Sequence, residues 1–107
     1  MKIGIIGNGY FGKKIYNTLK DKYNIVFFTG RDMDITYDVD WVVIATPIDS
    51  HYDLCKEFIL KGVNVFVEKP MTLSYTDSEK LIELAEDNNV RIYIDDVFRF
   101  TQGYWDL

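Results

Sequence analysis

The chain has 107 residues, 48% of them hydrophobic and 27% charged, which fits one packed domain and excludes a disordered chain. Its formal net charge of −5 argues against nucleic acid as a partner, because surfaces that bind a phosphate backbone are basic. With 1 cysteine and 1 histidine, neither an internal disulfide nor a cysteine or histidine metal cluster is expected. Glycines interrupt the N-terminal apolar run well short of a signal peptide or membrane span, so we expect a cytoplasmic protein without a membrane partner.

Short apolar runs of strand length alternate along the chain with segments whose apolar residues recur at helical spacing. This alternation is typical of an α/β fold with a doubly wound, mostly parallel sheet, here as a single domain over residues 1–107. In chain order, the predicted elements are a strand at Ile3–Ile6, a helix of about three turns, strands at Asn24–Phe28 and Trp41–Ala45, a helix over Ser50–Lys61, a strand at Val63–Val67, a helix over Thr76–Asn88 and a strand at Arg91–Ile94.

Local signals predict where two of these helices begin or end. Gly62 is typical of a helix stop after the second helix, and Thr76 with Glu79 has the spacing of a capping box at the start of the third. The connection from Phe28 to Trp41 has no helical stripe of apolar residues. We therefore expect a loop or a single turn there, and an abbreviated fold.

The segment Gly7-Asn8-Gly9-Tyr10-Phe11-Gly12 has the pattern G-x-G-x-x-G and lies directly after a predicted strand, where it opens a helix. In this context the first glycine permits the tight turn, the second lets the backbone approach a pyrophosphate, and the third allows helix and sheet to pack closely. Free N–H groups at the helix start then meet the phosphates. The sequence therefore predicts a Rossmann-type dinucleotide site, although a plain strand-to-helix turn explains one or two of the glycines.

The end of the second strand decides which dinucleotide is expected. An acidic residue there holds the adenosine ribose hydroxyls, whereas an arginine accommodates a 2′-phosphate. Thr29 stands where the acid is expected, and Arg31 follows two residues later. This favours NADP(H) over NAD(H); alternatively, Arg31 is a solvated loop cation and Asp32 turns back to the ribose.

Further motifs join the glycine loop: Val42–Pro47, then His51, Gly62 and Glu68-Lys69-Pro70. Together they resemble the N-terminal domain of the glucose-fructose oxidoreductase and inositol dehydrogenase (Gfo/Idh/MocA) family, from Lys2 to about Phe100. The resemblance implies an NAD(P)-dependent oxidoreductase that acts on a sugar or polyol.

The resemblance also implies roles for single residues. Thr46 and Pro47 match a turn under the nicotinamide, Glu68 belongs to the same cofactor side, and Lys69 matches the catalytic lysine near the reacting carbon of the substrate. Lys69 is otherwise a surface lysine paired with Glu68. His51 is a cofactor-edge contact, a local helix cap or a lone general acid or base.

This sequence departs from the family in three ways. The helix after the second strand is missing, the strand-end acid is absent, and the chain stops at Leu107, where relatives begin the α+β domain that completes the substrate pocket. We therefore expect a domain that is not catalytically complete alone. The alternative is a stand-alone nucleotide-sensing or protein-interaction module.

The remaining conspicuous residues have simpler expectations. Cys55 lies on the apolar stripe of its helix and is expected in the core, and Asp95 with Asp96 is expected to form a solvated strand end rather than a metal or acid-base site. The C-terminal tail predicts a homo-oligomer or a docked partner protein, unless it folds back over its own sheet. Its aromatic residues are Phe98, Phe100, Tyr104 and Trp105.

Overall fold

The computed structural model describes residues 1–7, 9–30, 35–68 and 70–95. Its elements are a five-stranded parallel sheet and three α-helices, with one 3-10 turn at Ile48–Ser50. Their bounds are β1 Lys2–Ile6, α1 Tyr10–Leu19, β2 Asn24–Thr29, β3 Trp41–Ile44, α2 His51–Leu60, β4 Asn64–Glu68, α3 Tyr75–Asp87 and β5 Ile92–Asp95.

The sheet is covered on both faces, as the unbroken apolar strands require. On one face, Ile15 and Leu19 of α1 pack against alternate side chains of β1 and β3. On the other face, α2 and α3 pack over the intervening side chains of the same strands, with Phe58 and Leu81 fully buried. The predicted doubly wound α/β fold is therefore confirmed.

The strand order is β2-β1-β3-β4-β5. The chain leaves β1 through α1 to reach β2 on one side, and it then crosses back to β3 on the other side of β1. The carboxyl ends of β1 and β3 consequently meet at a topological switch point, the place where ligands bind to open α/β sheets. The register Ile6↔Thr29 and Ile6↔Ile44 aligns these strand ends at one edge.

The connection before β3 contains no helix within its described part, residues 35–40. This segment is packed nonetheless: Val39 is buried, and the Tyr37 ring lies edge-on to Phe58 with centroids 5.2 Å apart. Lys2 Nζ lies 2.9 Å from Asp38 Oδ1, and this hydrogen bond and the charge of Asp38 raise the pKa of Lys2. The described part of the connection therefore packs against residues of β1 and α2.

Phe27 fills part of the space on the α2 and α3 face. The pairing of β1 with β2 shifts between Ile3 and Gly4, so that Gly4 lies opposite Phe27. A methyl group at Gly4 would lie 2.1 Å from Phe27 Cζ, and Phe27 itself is 7% exposed. An aromatic ring thus lies directly on the bare backbone of the neighbouring strand.

The predicted capping box at the start of the third helix is wrong. The helix begins at Tyr75, one residue before Thr76, and its N-cap is Ser74, whose Oγ accepts a hydrogen bond from the backbone N–H of Asp77 at 3.1 Å. Ser74 has the extended backbone that an N-cap requires, whereas Thr76 already lies inside the first turn. The helix stop at Gly62 is confirmed by its φ of +79°, which favours glycine.

Cys55 lies in the core as predicted, with no exposed surface, and burial raises the pKa of its thiol to about 12. Because the thiolate is the reactive form, we expect no modification by Ellman's reagent in native buffer at pH 8 and one equivalent after unfolding in urea. The sequence contains 1 cysteine, so the absorbance change measures the modification of Cys55 alone. Rapid labelling of the folded protein would contradict the buried position.

Candidate functional site

Gly7 lies where the ends of three strands meet at the switch point. Its N–H donates to Thr29 O at 2.7 Å, and the N–H of Ala45 donates to Ile6 O at 2.8 Å. Gly7 has a φ of +116°, and a Cβ there would lie 2.4 Å from Ala45 O. Only glycine fits this turn without displacing the end of β3.

Gly12 lets α1 approach the loop before it. A Cβ at Gly12 would lie 1.6 Å from Gly7 O, which is a backbone atom that cannot move aside cheaply. The start of the helix therefore rests directly on the turn at the end of β1. This contact fixes the orientation of α1 relative to the end of β1.

Gly9 is the N-cap of α1 and differs from the other two glycines, because no heavy atom lies within 4 Å of where its Cβ would be. Within the described residues, no side chain caps the helix start and no acidic residue stands in its first turn. The amide groups of the first turn therefore have no capping side chain among the described residues, and they lie at the positive end of the helix dipole. The loop fits an anionic group such as a pyrophosphate.

Tyr10 and Phe11 follow Gly9 on the exposed side of the helix start. Their rings meet edge-on with centroids 5.4 Å apart, and Tyr10 is 68% exposed. Lys14 Nζ lies 5.9 Å from the Tyr10 ring. Both aromatic side chains therefore lie at the surface of the helix start rather than in the core.

A chain of hydrogen bonds orients the turn after β3. Ser50 Oγ donates to Pro47 O at 2.7 Å, which uses its single proton. The contact between Thr46 Oγ1 and Ser50 Oγ therefore requires the Thr46 hydroxyl as its donor. Thr46 is left with acceptor capacity only. Ser50 was not predicted as part of the site. Its position at a helix start, four residues after Thr46, could have indicated this contact.

His51, the first residue of α2, is 4% exposed and faces three main-chain carbonyls. Its Nε2 lies 2.8 Å from Thr46 O, and its Nδ1 lies 3.1 Å from Met71 O and 3.3 Å from Pro70 O. The ring thus lies between the turn after β3 and the segment after β4.

The remaining predicted positions divide into two groups. Thr29 and Glu68 are half-buried strand ends at the same edge of the sheet as the glycine loop. Other predictions lie outside the described residues: Asn8, Arg31, Lys69, Asp96 and the tail residues Phe98, Phe100, Tyr104 and Trp105. The structure brings together Gly7, Gly9, Gly12, Thr29, Thr46, Pro47 and Glu68 at the carboxyl ends of four adjacent strands.

Two searches of the described residues bear on other classes of site. No three His, Cys, Asp or Glu side chains there are grouped as a metal ion would require. No described helix has both the length and the apolar composition needed to cross a membrane.

The fold and the site define a Rossmann-type nucleotide-binding domain. A family model described as an oxidoreductase family with an NAD-binding Rossmann fold, Gfo/Idh/MocA, matches residues 19–95. The chain belongs to this family, as its motifs predict. The matched region begins after the glycine loop and includes Thr46, Pro47, His51 and Glu68.

The chain spans only about a third or less of the length of the relatives described here. The chain is 25% identical over 130 positions to an uncharacterized oxidoreductase of Streptococcus pneumoniae, with 96% of the chain and 34% of that protein covered. It is 34% identical over 68 residues to the scyllo-inositol 2-dehydrogenase (NAD(+)) of Bacillus subtilis, with 64% of the chain and 20% of that enzyme covered.

Among solved structures, biliverdin reductase from Synechocystis, crystallised with biliverdin and NADP+, superposes with a TM-score of 0.76 at 20% identity. This superposition covers 87% of the chain and 37% of the reductase, and at such identity it shows the fold alone.

Proposed function

We propose that this domain binds a nicotinamide dinucleotide across the switch point and serves an oxidoreductase that acts on a sugar or polyol. The observation that carries the proposal is the set of three glycines: two are required by packing, and the third stands at an uncapped helix start with no heavy atom within 4 Å of its Cβ position. Family membership supports the same conclusion, and one relative is named for a polyol, scyllo-inositol.

The adenosine half and the pyrophosphate are assigned to the first two strands. The pyrophosphate lies over Gly9 and the start of α1, with Asn8 and Gly7 in the turn, because the helix dipole and the uncapped amides favour an anion there. Tyr10 and Phe11 border this site. Thr29 stands at the ribose position at the end of β2.

The nicotinamide half is assigned to the ends of β3 and β4. When bound, the cofactor supplies hydride transfer, and the protein supplies position and electrostatics. Thr46 accepts hydrogen bonds there, because its proton is committed to Ser50. Pro47 and Glu68 line the same side, and Lys69 is the proposed catalytic residue, polarising a substrate hydroxyl or carbonyl through its charge.

The substrate side of the reaction is proposed to need more than these 107 residues. The chain covers 34% of the first relative's length and 37% of the reductase structure. A platform on one side of the nicotinamide neither orients a substrate nor excludes water. Self-association or partner docking through the aromatic tail, and a cytoplasmic location, remain part of this proposal.

We expect tighter binding of NADPH than of NADH. The strand end carries Thr29 where an acid would repel the 2′-phosphate, and Arg31 follows two residues later in sequence. One relative is named for NAD+ and one structural neighbour contains NADP+, so the family leaves the choice open. Isothermal titration with each reduced cofactor measures the preference.

The matched variants are Thr29→Asp and Arg31→Ala. Thr29→Asp is expected to weaken NADPH binding by about tenfold and to strengthen NADH binding, because the new carboxylate repels a 2′-phosphate and holds free ribose hydroxyls. Arg31→Ala is expected to weaken NADPH binding by about tenfold, the factor that corresponds to one charge-assisted contact, while NADH binding changes little. Equal affinity for both cofactors, or tighter NADH binding by the unaltered chain, would reject the preference. Absence of binding of either would reject the cofactor proposal itself.

A further inference from the structure

The imidazole of His51 joins two loops that are distant in sequence. Thr46, at the end of β3, is five residues away, and Met71, after β4, is twenty residues away. Carbonyl oxygens only accept hydrogen bonds, so each ring nitrogen bonds there only when it carries a proton. The 2.8 Å separation assigns the proton of a neutral ring to Nε2, which donates to Thr46 O.

The two loops are those assigned to the nicotinamide half of the site. Thr46 begins the turn that Ser50 orients, and its carbonyl is the group that His51 holds. Pro70 O lies 3.3 Å from His51 Nδ1, and Pro70 is bonded in sequence to Lys69. His51 thus holds the carbonyl of Thr46 by a hydrogen bond, and the other edge of its ring lies against the segment that follows Lys69.

His51 has little capacity left for direct chemistry. The residue is 4% exposed, and both ring nitrogens face main-chain oxygens. A general acid or base must present a nitrogen to a reacting group within hydrogen-bond distance. Neither nitrogen is free in this way, which argues against both the acid-base role and the direct cofactor contact.

We propose that His51 is a positioning residue for the nicotinamide half of the cofactor, acting through the turn at Thr46 and Pro47. This inference rests on the proposed function. The adenosine half is not expected to depend on His51, because the turn at the ends of β1 and β2 is held by a separate hydrogen bond, from the Gly7 N–H to Thr29 O.

The experiment compares two ligands that differ only in the nicotinamide. NADPH is paired with 2′-phospho-ADP-ribose, and NADH with ADP-ribose, and each is titrated calorimetrically into the full chain. His51→Phe keeps a flat ring without a donor, whereas His51→Gln places an amide N–H near the position of Nε2. Ile59→Val is the control, since it trims a fully buried side chain on the same helix away from the loops.

His51→Phe is expected to weaken binding of the reduced cofactor by about tenfold, as for one lost hydrogen bond that holds the loop. Binding of the matching ADP-ribose should change by less than about twofold, and His51→Gln should restore most of the lost affinity. The control should lower the melting temperature and leave the ratio of the two affinities unchanged. Melting curves for all variants establish that each titration uses folded protein.

Two results overturn the positioning role while leaving the cofactor site intact: a parallel loss for both ligands in His51→Phe, or no loss for either. The same ratio in His51→Gln as in His51→Phe would also contradict it. If the unaltered chain binds neither ligand, the proposed function fails first and the positioning role falls with it.

Discussion

Alanine at Gly12 is expected to destabilise the fold, whereas alanine at Gly9 is expected to weaken cofactor binding and leave the protein folded. At Gly12 the new methyl group would lie 1.6 Å from Gly7 O, so α1 must move. Because the clash is with a backbone atom, we expect a cost at the upper end of the range for overpacking, about 3 kcal/mol, against a gain of about 1 kcal/mol from alanine's helix propensity. We expect a net loss of about 2 kcal/mol, or roughly 10 °C in melting temperature.

Gly9 receives the same substitution in open space, since nothing lies within 4 Å of its Cβ position. Its φ of −78° suits alanine, and the poorer N-cap costs under about 1 kcal/mol. The methyl group would nevertheless occupy the space assigned to the pyrophosphate. We expect at least tenfold weaker cofactor binding, a loss of about 1.4 kcal/mol or more, by calorimetry. Unchanged affinity in Gly9→Ala, or unchanged stability in Gly12→Ala, would show that these glycines have other roles.

The second large effect is expected where Phe27 covers Gly4. Phe27→Ala removes a buried ring and should cost about 3–5 kcal/mol of unfolding free energy. Gly4→Ala should itself cost about 1–3 kcal/mol, because its methyl group would lie 2.1 Å from the ring. In the Phe27→Ala background the clash is absent, so Gly4→Ala should instead stabilise the strand by about 0.5–1 kcal/mol.

Urea unfolding of the two single variants and the double variant measures this coupling. The expected signature is a change of sign: Gly4→Ala destabilises the original chain and stabilises the Phe27→Ala chain. Additive effects in the two backgrounds would mean that the ring does not lie on Gly4. Phe58→Ala is a useful comparison, because Phe58 is also buried, whereas the three heavy atoms nearest to a methyl group at Gly4 all belong to Phe27.

Most of the fold was predictable because the signals are local. Strand and helix positions follow from apolar periodicity, and each observed strand begins or ends within one residue of its predicted bound, as for Lys2–Ile6 against Ile3–Ile6. The third helix was predicted to begin at Thr76 instead of Tyr75. Ser74 and Thr76 are both good N-cap residues, and only the backbone conformation distinguishes them.

Contacts between residues that are distant in sequence could not be predicted from the sequence. The placement of Phe27 on Gly4 depends on a register shift between two strands, which periodicity does not encode. The carbonyl partners of His51 depend on the packing of the segment after β4 against α2, so its pattern in the sequence left three roles open. The glycine loop was predictable because its motif is local in sequence, and the structure gives Gly7 and Gly12 each a steric reason to be glycine.

The proposed position of the dinucleotide, over the glycine loop at the switch point, is tested most directly by two-dimensional 15N–1H NMR of the labelled full chain, titrated with NADPH and with NADH. We expect the largest shifts at the backbone N–H groups of Gly9, Phe11, Gly30 and Thr46, with those of α3 unchanged. No shifts with either cofactor, or shifts centred on α3 and β5, would contradict it.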